Sequence, residues 1–431
     1  MKSFQTIVLI IFILLIVLAV FIFATSGNSN TSDANINMVV WGTLDGIVMN
    51  DFFRAQKILN NDFPNVDYVE KDPVLYEDEI INATARGQSP DLFLVTNENL
   101  LDLQDLIFPI PFSSYSERSF KDNFIEGAEI FIKSGNIYAF PLAVDPMVMY
   151  WNRSLFQSYG LSQPPKYWDE FLTIAPRITE KDDALNIKKS AVSLGEYDNI
   201  NHAKEIISSI MFMSDNSIVA GVQTGELRSV FAEREGQASP SESALRFYTD
   251  FANPTKTTYS WNRSLPEAKE YFLSGNLAVY FGFSGELEEI RNKNPNLNFD
   301  VALMPQIRDF NNRAVFGNIY GLAVAKTSKN ISPALRLLGS VTSQSSAIEI
   351  NEGLFLPPVR RDLLAQKQDS AANDIFWNSA IISKSFLVPD KVATEDLFEE
   401  MIESIISGRS RLGEAISRFD TSLNKLLVDK K

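Results

Sequence analysis

The chain has 431 residues, 45% of them hydrophobic, and carries 39 Lys and Arg against 54 Asp and Glu, a net charge of −15. This length and apolar share suit two or three domains or one large two-lobed body, and the acidic balance excludes a nucleic-acid footprint. The absence of cysteine removes disulfides, thiol nucleophiles and cysteine metal sites, and a single histidine, His202, removes two-histidine metal sites and leaves a Ser-His-Asp triad unsupported.

Residues 7–24 are an uninterrupted apolar run, preceded by one charge, Lys2. At about 1.5 Å per residue the run spans roughly 27 Å, near the thickness of a hydrocarbon core. The length fits an uncleaved transmembrane anchor, whereas signal-peptide cores are usually shorter; Ala24-Thr25-Ser26 nonetheless offers a cleavage site. Segment 1–25 is therefore read as an anchor or signal peptide, and 26–35 (SGNSNTSDAN) as a polar, flexible tether. Either way the body lies outside the membrane, with Lys2 on the inner side.

Residues 37–42 (NMVVWG) form a short apolar run ending in glycine and predict a first strand. A helix over 52–62, a strand over 66–69 and a helix over 76–86 stopped by Gly87 follow, then a buried strand at 90–95 (PDLFLV). Strands alternating with helices imply parallel βαβ units. Further on, Pro164-Pro165 leads into a helix with Asp169 and Glu170 in its first turn, where carboxylates suit the helix dipole. Ser264 and Glu267 are spaced as a capping box for a helix running to Leu273, and strands are expected at 277–281 and 299–305. Ser332 is read as a cap with Pro333 at the first helical position. Thr394 is read as the cap of an amphipathic helix whose buried stripe is Leu397, Phe398, Met401, Ile402, Ile405 and Ile406. A last helix carries Ile416, Phe419, Leu423, Leu426 and Leu427.

No Walker loop, dinucleotide fingerprint, HExxH or GxSxG motif is present, so no cofactor and no metal site are read from the chain. Carboxylate pairs are the only general acid–base candidates. The acidic runs 126–129 and 286–289 read as solvated helix faces, and His202 as a surface or helix-end residue.

The run 138–179 (YAFPLAVDPMVMYWNRSLFQSYGLSQPPKYWDEFLTIAPRIT) resembles the first interlobe crossover of extracellular solute-binding protein family 1, the carbohydrate-type, maltose-binding-protein-like proteins of ABC importers. FLSGNLAVYFGFSG at 272–285, GNIYGLAVAKTSKNI at 317–331 and GLFLPPVRRD at 353–362 resemble later segments of that family in the same order. The resemblance implies an α/β, two-lobed, periplasmic-binding-protein-like fold (type II) with three crossovers. Lobe 1 would be 36–142 plus 309–351, and lobe 2 would be 145–306 plus 354–431. It implies capture of a sugar or oligosaccharide by hinge closure and delivery to ABC permease subunits, without catalysis. Two other readings remain open at this point: a membrane-anchored sensory or protein-interaction receptor, and a surface hydrolase using paired carboxylates.

Ligand contacts in open α/β folds gather at the carboxyl ends of strands. With the resemblance, this picks out Thr43 and Asp45 after the first strand, Asp45 being equally a turn aspartate, while Trp41 is read as core. Asn97 and Glu98 follow the strand PDLFLV, as contacts or as a cap. Asp145 lies at the first crossover. Of Tyr150 and Trp151, one should pack inside the second lobe and the other could face the cleft. Trp261 lies in a loop and needs a surface to cover, the cleft or a partner. Phe283 is the aromatic available where the family stacks its ligand. Asn318 and Tyr320 sit on the return strand beside Gly317, and Trp377 is a weaker candidate.

Overall fold

The computed structural model describes residues 33–234, 239–310 and 312–430. The expected anchor at 7–24 and most of the tether lie outside them; among the described residues no helix is long and apolar enough to cross a membrane. The end of the tether is fixed rather than loose, because buried Asp33 accepts Arg336 Nε at 2.7 Å.

Strands β1 (Asn37–Gly42), β2 (Asn65–Glu70) and β3 (Leu92–Thr96) are parallel, with β1 between the other two. Helices α1 (Gly46–Leu59) and α2 (Tyr76–Ala85) make the crossovers, as the alternating pattern predicts. β1 coincides with the predicted run. α1 begins at Gly46 instead of 52, because Asp45 accepts the N–H groups of Ile47 and Val48 at 2.8 and 3.0 Å and so caps it.

The chain then enters β4 (Phe140–Asn152), a 13-residue strand buried at all but one position. Its first half pairs antiparallel with β8 (Val315–Val324), and β8 pairs on its other edge with β3. Its second half pairs with β6 (Leu277–Phe283) on one edge and β7 (Phe299–Ala302) on the other, and β5 (Ile187–Val192) extends β6 in parallel. The principal order is β2-β1-β3-β8-β4-β6-β5 within one ten-stranded sheet. Pro141 cannot donate to this ladder, and the register shifts between Tyr320 and Gly321 opposite it. A third passage lies beside β4, where Val144 N–H donates to the Pro357 carbonyl at 3.2 Å. Two half-sheets therefore share β4 and β8.

Helix α3 (Ala203–Met213) is buried along its whole length and packs against β8 and α4 (Pro240–Asp250). α5 (Ile331–Val341) packs on β8 and α6 (Gln344–Leu354) on α1, covering the β1–β3 half. α7 (Ala371–Ile381) lies against β4 and β7, and α8 (Lys391–Ile406) and α9 (Leu412–Val428) pack on each other and on α4.

Three expected caps are misplaced. Thr394 is fully buried inside α8, which Asp390 caps through Ala393 N–H at 2.8 Å. Ser264 belongs to a turn, its hydroxyl donating to Asn262 Oδ1 at 2.6 Å, and the helix to Leu273 begins only at Ala268. α5 starts at Ile331, before Ser332. Of these three helices only α8 has a side-chain cap; Glu267 and Asn330, which precede the other two helices, make no side-chain cap bond.

Gly195 has φ +106°, and a Cβ there would lie 2.6 Å from Ala252 N. Gly195→Ala is expected to cost about 2–3 kcal/mol of stability, from backbone strain plus steric overlap, measured by urea unfolding; an unchanged midpoint would show that the loop yields freely.

Candidate functional site

The carboxyl ends of β1, β3 and β6 converge where β4 and β8 cross between the halves. β3 delivers Asn97 and Glu98. Asn97 is fully buried; its Oδ1 accepts Ile319 N–H at 3.1 Å, while its Nδ2 has no hydrogen-bond partner among the described residues. Glu98 reaches into the other half, where Lys204 of α3 lies at 3.0 Å and Lys391 of α8 at 2.9 Å. Burial alone would raise the Glu98 carboxyl, but the two lysines outweigh it and hold it down at about 2.

Lys204 is only 1% exposed. Besides Glu98 it contacts Glu205 at 3.2 Å and Glu395, which also accepts the hydroxyl of Tyr197. Burial disfavours its ammonium, and the three carboxylates more than offset that and raise its pKa. One oxygen from each of Glu98, Glu205 and Glu395 lies within 4.8 Å of the others, the spacing of a cation site. Here the chain supplies the cation itself.

Asp145 sits midway along β4, opposite Asn318 of β8. It accepts Ser284 Oγ at 2.7 Å and Gly285 N–H at 2.9 Å, both just beyond β6. Burial raises its pKa to about 6, and the two hydrogen bonds only partly offset this. Tyr320, half-buried on β8, has its phenol pushed up by burial and then by the charges of Asp145 and Glu98. These residues thus share one locality.

Glu286, expected on a solvated face, is instead largely buried. It binds His202 Nε2, Lys269 Nζ and Tyr280 Oη, each at 2.8 Å, and accepts Phe283 N–H at 2.8 Å. Burial would raise its carboxyl, but His202 and Lys269 hold it at about 2. His202 does stand at a helix end, with φ 65° before α3, yet it is tied into this cluster and meets the Phe283 ring edge-on at 4.8 Å. Burial lowers the His202 pKa, and Glu286 more than reverses this.

The structure brings together Asn97, Glu98, Asp145, Phe283, Asn318 and Tyr320. Thr43 is half-buried in the loop after β1, and exposed Asp45 spends its oxygen on the α1 cap. Three candidates are corrected. Tyr150 is fully buried and donates to the Phe283 carbonyl at 2.7 Å. Trp151, also buried, packs edge-on against Phe156 at 5.3 Å; both rings are enclosed in the packed core. Trp261 is fully buried and donates Nε1–H to Asn199 Oδ1 at 2.9 Å, so the surface it covers is its own core. Trp41 is half-buried beneath the Lys71 ammonium at 3.8 Å. Trp377 lines a separate cavity of about 520 Å³ with Phe355 and Phe376. Sequence reasoning missed Lys204, Lys391, Glu395 and Ser284. The usable signal was the apolar run from Ile206 to Met213 directly after Lys204-Glu205, interrupted only by Ser208 and Ser209.

Trp261→Phe is expected to cost about 1–3 kcal/mol by leaving buried Asn199 without its donor, with ligand affinity unchanged; a loss of affinity at normal stability would restore Trp261 to the site. Asp145 also predicts a pH effect. A carboxyl raised in the folded state stabilises below its unfolded pKa and loses that contribution as pH rises through the folded value. Relative to Asp145→Asn, the native chain should lose about 2 kcal/mol between about pH 4 and about pH 6, read by urea unfolding across that window; parallel curves would contradict it.

Comparison with known proteins agrees with this architecture. A protein of Brucella abortus (strain 2308) named as a binding protein is 23% identical over 355 residues, covering 79% of this chain and 81% of that one. A cyclo/maltodextrin-binding protein crystallised with maltotetraose superposes with a TM-score of 0.72 at 16% identity, over 91% of this chain and 97% of that one. A cyclic alpha-maltosyl-1,6-maltose binding protein from Arthrobacter globiformis gives 0.73 at 13% identity, over 92% and 100%. These likenesses establish the two-lobed α/β, periplasmic-binding-protein-like fold. The model of the bacterial extracellular solute-binding proteins matches residues 55–347, well over half of the chain; the chain belongs to that family.

Proposed function

We propose that this protein captures an uncharged sugar or oligosaccharide between its two lobes, closes on it about β4 and β8, and presents it to the permease subunits of an ABC importer. The lobes in this reading are 36–142 with 309–351, and 145–306 with 354–431. Family membership supports an extracytoplasmic solute-binding role, and similar structures hold maltotetraose, mannotriose and tagatose. The run 7–24 would anchor the body to the outer face of the membrane. No bond is made or broken in this role.

The observation that carries the reading is the polar meeting of the two halves at Asp145. Its carboxylate already accepts one hydroxyl, that of Ser284 at 2.7 Å, as it would a sugar hydroxyl. Thr43, Glu98, Asn318 and Tyr320 are the further contacts we assign. The junction carries Glu98, Asp145, Glu205, Glu286 and Glu395 against Lys204, Lys391, Lys269 and His202. This carboxylate surplus favours uncharged ligands and disfavours sugar phosphates. With no tryptophan among the grouped residues, hydrogen bonds rather than ring stacking should set most of the affinity.

Thermal-shift titration of the full chain tests this. A dose-dependent rise in Tm with neutral mono- or oligosaccharides and none with their phosphates is expected. Asp145→Asn should weaken the binding sugar about tenfold to a hundredfold. A larger shift with phosphorylated sugars, or with peptides, would overturn the reading.

A further inference from the structure

Lys204 is an unusual residue to bury, and the division of its partners between the halves is informative. Glu205 is its neighbour on α3, and Glu395 lies on α8 of the same half. Only Glu98 comes across from the β1–β3 half. Glu98 in turn receives Lys391, also from the far half, at 2.9 Å. The β6 half alone therefore presents two ammonium groups and two carboxylates, a balanced set. Into it one carboxylate arrives from outside.

Parting the halves would affect the partners unequally. Lys204 would keep Glu205 and Glu395, so its charge stays matched. Glu98 would lose both of its cations. The pairing thus acts on the relation between the halves more than on the integrity of either. Charge-assisted hydrogen bonds of this kind are roughly twice as strong as neutral ones, and burial of the lysine shields its contact from salt. Other contacts cross between the halves: Ser134 N–H to the Gln223 carbonyl at 2.9 Å, Gln223 Nε2 to Glu129 at 3.0 Å, and the Lys430–Asp102 ion pair, which involves neither Lys204 nor Lys391. The Gln223–Glu129 contact is exposed and neutral on one side, whereas in the Glu98 pairing the lysine is only 1% exposed.

We propose that Glu98 is the positioning residue of closure: the preassembled Lys204–Lys391 pair draws it across the cleft and holds the lobes together before any ligand arrives. The ligand-free protein then populates the closed form appreciably, and a ligand completes a closure already favoured by the chain. This rests on the two-lobed hinge and not on which ligand is bound, so it stands or falls separately from the sugar assignment.

The chain has no cysteine, so two introduced thiols are labelled uniquely. Ile58→Cys on α1 and Asn292→Cys, both exposed and on opposite halves, carry spin labels in the full chain without ligand. Double electron–electron resonance is expected to show a closed, short-distance population in the parent. Glu98→Gln should shift the closed-to-open ratio about tenfold towards open. Lys391→Met, which alters a lysine that is 57% exposed and so leaves the fold intact, should shift it in the same direction. A shift in Glu98→Gln alone places the pull on Lys204. Unchanged distances in both variants, or a parent that is entirely open, overturn the proposal.

Discussion

A strand shared by two half-sheets must be covered on both faces in each of them, and it must also bend where they part. β4 meets this demand with 13 residues of which only Asp145 is not buried. Its first half takes β8 as a neighbour and its second half takes β6 and β7. The one residue left partly open falls at the change of neighbours. The site thus follows from the construction of the sheet: the partner of β4 passes there from β8 to β6, and the carboxylate meets Ser284 and Gly285 just beyond β6.

The charges around this point are arranged in two closed groups. Glu286 is held within one half by His202, Lys269 and Tyr280, and its binding of Phe283 N–H fixes the turn that presents Ser284. Lys204 is held by three carboxylates drawn from both halves. A buried ammonium is tolerable only when matched and hydrogen-bonded. The first group shapes one wall of the cleft; the second concerns the distance between walls.

Much of the fold was legible in the sequence, because hydrophobic period and glycine stops are local signals. The run NMVVWG is β1 residue for residue, and the helix from Tyr76 ends just before Gly87, which takes φ +71°. Caps were less legible, since several polar residues near a helix start compete and sequence does not rank them; Asp390 prevailed over Thr394 and Asp45 set an earlier start than period alone implied. Glu98 could be placed because it follows the end of β3, and Asp145 because the family-like run 138–179 marks the crossover strand it sits in. Trp261 could not, because the group that decides its direction is Asn199, 62 residues earlier. Lys204 was not legible as a site residue, because its partner Glu98 lies 106 residues away in the chain.

β8 pairs with β3, yet it follows β6 and β7 in the chain, so neither half is a continuous stretch of polypeptide. Gene fragments cut between the halves would yield neither as a self-sufficient unit. A protease that severs one connection would leave two pieces still threaded through a common sheet, migrating together until denatured.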